Sequence, residues 1–170
     1  MSVDPETSTT ALVRLATAAQ QLRTSDEFFA ELERCAQELF GFRLFTVLLF
    51  NASERKTIRR YSSNPSAYPV GGWKPVVERT WTTHLLVEGR VFAGSNAQSI
   101  RDNFVDADLI LSLGCESVLN VPVVIRGSVI GTINLLREAD GYSNADIGLA
   151  KVMAAIAVGP LEHAAKTGAL

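Results

Sequence analysis

Cysteine is scarce: Cys35 and Cys115 are the only two in 170 residues. That is too few for a disulfide framework, and neither sits in the CxxC or Cys/His clustering that holds zinc. Long apolar runs are also missing. The longest, Leu44 to Phe50, is interrupted by Thr46 and is far shorter than the ~20 residues of a spanning helix, so no membrane partner is expected. The first ten residues, MSVDPETSTT, hold two acids and no base, which lacks the cationic start and apolar run of a secretory signal and predicts a cytoplasmic location. No charge of one sign dominates. Sixteen Lys+Arg against 18 Asp+Glu leave a formal charge of −2, which argues against a nucleic-acid partner, since binding one requires neutralising phosphates. No GxxxxGK or GxGxxG phosphate loop is present. What the chain does have is a 47% hydrophobic composition, enough for one globular domain that buries roughly 70% of its unfolded surface without a structural metal.

The apolar spacing then predicts an order of elements. Leu12, Leu15, Ala16, Ala19 and Leu22 recur at helical steps, giving a helix from Thr10 to Leu22 behind a flexible segment at 1–9. Thr24 with Glu27 has the form of a capping box and opens a second helix, whose Phe28, Phe29, Leu32, Cys35, Ala36, Leu39 and Phe40 share a face up to Gly41. Residues 42–50 are almost all apolar or β-branched and read as a central strand, with 57–62 folding back on it as a hairpin. Asn64 to Pro75 contains three prolines and two glycines and predicts an irregular loop. Residues 76–86 read as a helix carrying Trp81 and His84, 90–93 as a short strand, and 99–113 as one or two short helices ended by Gly114. Two strands at 117–125 and 128–136 are joined by the tight turn Arg126-Gly127. Ser143 with Asp146 signals the start of a terminal helix, kinked or ended near Pro160, and leaves 166–170 as a tail. Helices at both ends of an antiparallel sheet make the class α+β.

The strand "RVFAG", the strand "SVLNVPVVI", the turn "RG", the strand "SVIGTINLL" and the helix start "YSNAD" together resemble the GAF domain family of small-molecule-binding and sensory modules, a relative of PAS folds. The resemblance covers residues 10–165. It implies terminal helices on one face of the sheet and a ligand pocket on the other, roofed by residues 95–116 with help from the 64–75 loop and the Trp81 helix. Strand alternation agrees with it: Val118, Asn120, Pro122 and Val124 share one face, as do Thr132, Asn134 and Leu136. The ligand-binding set predicted on this basis is Trp81, Phe92, Leu109, Cys115, Val118, Asn120, Asn134 and Leu136. No cofactor or metal is expected.

Sharper members of the family fit less well. Cyclic-nucleotide-binding GAF domains carry Asn-Lys and then Phe-x-x-x-Asp-Glu; Asn134, Tyr142 and Asp146 match, but Leu135 and Ile147 replace the Lys and the Glu. The plainer expectation is that Asn134 satisfies loop backbone and Asp146 caps a helix. Free methionine-(R)-sulfoxide reductases place a nucleophilic Cys and three carboxylates where this chain has Leu111, Val118 and Asn134-Leu135-Leu136, leaving Cys115 as a remote redox alternative. Bilin attachment uses Cys-His, whereas Cys115 precedes Glu116. His84 is of a type that ligates haem iron, but a lone His is more often a packed or hydrogen-bonded residue, and the cluster Arg55, Lys56, Arg59 and Arg60 reads as a solvated hairpin edge. The expected function is small-molecule sensing without catalysis, with a signal leaving through a homodimer of the terminal helices, built on Leu12, Leu15, Ala19, Ile156 and Leu161, or through a separate signalling protein. The rival is a degenerate domain that only dimerises.

Overall fold

A computed structural model describes residues 4–21 and 24–167; Leu22, expected to close the first helix, lies outside them. In chain order the elements are α1 (Pro5–Gln21), α2 (Ser25–Leu39), β1 (Leu44–Asn51), β2 (Lys56–Ser62), β3 (Gly71–Pro75), α3 (Thr80–Thr82) running into a π-helical turn over Thr83–Val87, β4 (Phe92–Gly94), α4 (Ala97–Asn103), α5 (Ala107–Ser112), β5 (Ser117–Ile125), β6 (Ser128–Arg137), α6 (Ile147–Ile156) and α7 (Val158–Thr167). The six strands form one antiparallel sheet in the order β3-β2-β1-β6-β5-β4. The α+β expectation therefore holds.

Period-2 alternation divides the sheet into two faces. Phe45, Val47 and Leu49 of β1, Leu119, Val121 and Val123 of β5, and Ile133 and Leu135 of β6 bury against Phe28, Phe29 and Leu32 of α2, Leu15 of α1, Met153 of α6 and Leu161 of α7. This is the main core, and it is packed on the terminal helices. A bulge lies in the β1–β2 pairing, where Val47 opposes Tyr61 but Leu48 opposes Arg59. The extra residue, Arg60, shifts the phase of β2. Thr57 and Arg59 therefore face away from the helices, while Tyr61 stacks its ring edge on Phe45. Gly131 lets α7 approach β6, because a Cβ there would meet the Leu48 carbonyl oxygen at 2.3 Å and Leu161 at 2.7 Å.

Several boundaries differ from expectation. Helix α1 begins at Pro5, where Asp4 accepts a hydrogen bond from the Thr7 amide at 3.0 Å; proline at the first helical position needs no N–H partner. The capping box forms as expected, with Thr24 and Glu27 bonded reciprocally. The supposedly irregular loop ends in strand β3, which pairs with β2. An edge strand needs bonding partners on one side only, so Pro75 at its end is tolerated. Conversely, residues 76–79 are not helical: the Val76 amide bonds to Arg55, and Arg79 is the extended cap of α3. At the far end the helix breaks at Ala157 and bends by 44° between α6 and α7. Pro160 explains this, since it has no N–H for the Ile156 carbonyl and its ring crowds that group. No single helix among the described residues is long and apolar enough to cross a membrane.

Candidate functional site

The sheet face turned away from the terminal helices carries a cavity of about 230 Å³. Its floor is Leu44, Thr46 and Leu48 from β1, Thr57 and Arg59 from β2, Asn120 from β5, and Thr132, Asn134 and Leu136 from β6. Its roof comes from three segments: Tyr68, then the stretch from Lys74 to Leu86 that carries Trp81, then Asn103 to Ile110. Trp81 stacks on Phe104 with ring centroids 4.7 Å apart and donates its indole N–H to the Asn103 carbonyl at 2.5 Å. The two helical roof segments are thereby joined.

Polar groups on the floor fall into two sets. Asn134 is satisfied: its Nδ2 donates to the Thr46 hydroxyl at 3.2 Å and to the Thr46 carbonyl at 3.4 Å. It therefore bonds the neighbouring strand and not loop backbone as expected. Asn120 and Thr132 are 2% and 1% exposed, yet Asn120 Oδ1 and Thr132 Oγ1 have no hydrogen-bond partner. Leaving such a group unpaired costs about 1–3 kcal/mol. Two of them in one small cavity is unusual for a domain that could have placed apolar side chains there.

A charged chain closes the β2 side. Arg59 lies with its guanidinium carbon 4.8 Å from the centre of the Tyr68 ring and donates Nη1 to the Pro69 carbonyl at 3.0 Å, while its enclosed Nε has no partner. Tyr68 donates its hydroxyl to Asp106 at 2.7 Å. Burial pushes the Tyr68 phenol up and Arg59 down from their ordinary values, with the hydrogen bond to Asp106 adding to the Tyr68 shift and the nearby Tyr68 and Asp106 partly restoring Arg59. Lys74 and Arg79 line the same cavity and are exposed.

Of the eight predicted ligand-binding residues, Trp81, Asn120, Asn134 and Leu136 line the cavity. Phe92 does not; it packs behind the roof with its ring centroid 6.1 Å from that of Trp81. Val118 and Cys115 do not line it; they pack in an adjoining apolar cluster that shares Leu44, Ile110 and Leu136 with the cavity wall. Leu109 is 40% exposed, and it is the next residue, Ile110, that α5 turns inward. Cys115 is fully buried, and burial pushes its thiol up to about 11. The hairpin cations differ from expectation at one position: Arg59 lines the cavity and is not part of a solvated edge. Alternation from Ile58, which is buried on the helix face, would have found it. Thr132 was readable from the same period on β6, whereas Tyr68 and Asp106 left no signal in a loop and at a helix start.

The cyclic-nucleotide-like residues are not brought together. Tyr142 donates its hydroxyl to the Gly41 carbonyl at 2.8 Å, and Asp146 accepts the Leu149 amide at 2.9 Å as a helix cap. Both line a different recess beside Pro5 and Arg137, while Asn134 lies in the cavity. Among the described residues no group of three or more His, Cys, Asp or Glu is placed to hold a metal.

The GAF domain model matches residues 25–159. The chain belongs to the GAF domain family. As a GAF domain it is similar in fold to the GAF domain of a phosphoenolpyruvate-protein phosphotransferase from Coxiella burnetii, with TM-score 0.73, 11% identity, and 97% and 98% of the two chains covered. The corresponding domain from Acinetobacter gives TM-score 0.71 at 14% identity over 95% and 96%. Free methionine-R-sulfoxide reductase from Neisseria meningitidis, solved with its substrate, gives 0.66 at 12% identity over 98% and 96%. No curated protein matches the chain.

Proposed function

We propose that this GAF domain is a small-molecule sensor: a ligand fills the cavity above β1, β5 and β6, and its occupancy is transmitted without chemistry on the ligand. The observation that carries this reading is the pair of enclosed, unpartnered oxygens, Asn120 Oδ1 and Thr132 Oγ1, on the floor of a cavity that Leu44, Leu48, Leu85, Leu86 and Leu136 also line. A domain that only dimerised would gain stability by filling this space with apolar groups. A few fixed polar groups in an apolar cavity are the usual make-up of a small-ligand site. The ligand's contacts with the roof would order the stretch around Trp81 and Phe104, and the floor strands β5 and β6 carry the change to α6 and α7, which pack on their other face.

The absence of catalysis is part of the proposal. Cys115 is buried outside the cavity with its thiol held protonated, and only the thiolate is a nucleophile. The output is proposed to leave through a homodimer or a separate signalling protein. Leu15 and Leu161 belong to the core of the protomer itself, so a dimer face would use residues such as Val13 on α1 and Val152 on α6, which are exposed.

The test is a thermal-shift screen against metabolites, backed by native mass spectrometry. A ligand at ~100 times its Kd adds ~2.7 kcal/mol, which moves the midpoint by several degrees at this size. A hit whose shift is reduced in Asn120→Leu supports the reading. The degenerate-domain alternative takes its place if no compound shifts the midpoint and Asn120→Leu is stabilising.

A further inference from the structure

The cavity's charge differs in sign from that of the whole chain. The protein carries −2 overall, yet among its described lining residues Arg59, Lys74 and Arg79 face a single carboxylate, Asp106. That carboxylate is already engaged by the Tyr68 hydroxyl. Arg79 spends one donor on the Asp102 carbonyl at 3.2 Å and pairs with no carboxylate among the described residues. Arg59 is held in place by the Tyr68 ring and the Pro69 carbonyl, with its enclosed Nε unpartnered. We propose that the cavity takes a small amphipathic organic acid whose carboxylate sits against Arg59 and whose hydrogen-bonding head, an N–H or O–H group, reaches Asn120 and Thr132. This deepens the sensory reading above and rests on it.

The strand register supports this distribution of charge and polarity. Thr132 opposes Leu48, and Leu48 opposes Arg59, so the three lie in one row across β6, β1 and β2. Strands lie ~4.8 Å apart, so the backbones of Thr132 and Arg59 are separated by about 10 Å. Asn120 and Asn134 stand opposite each other in the adjacent row. Leu48 lies between the two ends on the floor, and Leu85 and Leu86 line the roof. A ligand with a carboxylate at one end, a donor at the other and a ring or short chain between them matches that spacing. The volume of about 230 Å³ lies below the ~300–1,000 Å³ of drug-sized sites, so the occupant is metabolite-sized. A guanidinium accepts a carboxylate through paired N–H donors, and a fixed guanidinium loses little freedom in doing so. Lys74 and Arg79 at the exposed rim raise the local concentration of anions and speed their entry. A cationic ligand is opposed by all three bases.

Isothermal titration of the full chain with phenylacetate, 4-hydroxyphenylacetate and hexanoate, each beside its neutral primary amide, tests the proposal without any substitution. The expected result is at least tenfold tighter binding of each acid than of its amide, with 4-hydroxyphenylacetate tighter than phenylacetate. Arg59→Gln should erase the acid preference but keep the hydroxyl preference, Asn120→Leu should do the reverse, and Arg59→Lys should retain part of the acid preference. Amides that bind as well as the acids overturn the ligand class and leave the small-molecule reading standing. Acids and amides that all fail to bind at millimolar concentration overturn the ligand class, and the small-molecule reading then falls only if the metabolite screen is also empty and Asn120→Leu is stabilising.

Discussion

Thr132→Val should make the free protein more stable. The Thr132 side chain lies on the cavity floor, 1% exposed, with no partner for its hydroxyl. Valine replaces that hydroxyl with a methyl group of similar size and keeps the β-branching suited to a strand. The substitution removes a buried polar group that costs about 1–3 kcal/mol when unpaired. At this chain length each kcal/mol moves the melting temperature by ~2–4 °C, so thermal unfolding followed by circular dichroism should show a rise of at least ~2 °C. Asn134→Ala is the control, because it breaks the bonds from Nδ2 to Thr46 and enlarges the cavity; its melting temperature should fall. If Thr132→Val leaves the midpoint unchanged or lowers it, water satisfies the hydroxyl in the free protein, and the argument that these oxygens are held ready for a ligand fails. If the midpoint rises and ligand binding weakens together, the polar floor is a stability cost retained for binding.

Three further outcomes follow from local geometry. Both cysteines are fully buried and their thiols are pushed up, Cys115 to about 11 and Cys35 to about 12; a thiol reagent at pH 8 should leave both unmodified in the folded protein and label both in denaturant, and rapid labelling of Cys115 in the native state would revive the redox alternative. Gly131→Ala puts a Cβ 2.3 Å from the Leu48 carbonyl oxygen, a backbone clash that should cost at least the ~1–3 kcal/mol typical of overpacking, read as a fall in the urea midpoint. Glu138 is held at about 2 by its hydrogen bonds from Arg137. Its folded value is depressed, so its contribution is complete above the ordinary 4.5 and is lost as pH falls through 2. Because the side chain is 47% exposed, solvent screening keeps that contribution below ~1 kcal/mol, and carboxyl NMR titration should show the low midpoint and its return toward normal in Arg137→Gln.

Elements with strong periodicity are legible in the residues. The β5–β6 hairpin follows from alternation together with Arg126-Gly127, whose φ values of 49° and 80° are both positive, as its tight turn requires. The same alternation put Asn120, Asn134 and Leu136 on the cavity face. Composition was a poorer guide where an element needs partners on one side only, as in β3, or where a bulge changes phase, as at Arg60 in β2. Leu109 and Ile110 show the limit for short helices: six residues in α5 do not establish which of two adjacent apolar side chains turns inward.

The residue order by itself determined the α+β architecture, the helix caps, the hairpin and the sorting of β5 and β6 into two faces, because those features depend on neighbours within a few positions. Only the tertiary structure decided what the cavity is. It brought Tyr68 and Asp106 together across 38 residues, left Asn120 Oδ1 and Thr132 Oγ1 without partners and kept Cys115, Val118 and Leu109 out of the cavity lining. Those outcomes depend on how the roof segments close over the sheet, a packing among distant parts of the chain on which no local period reports.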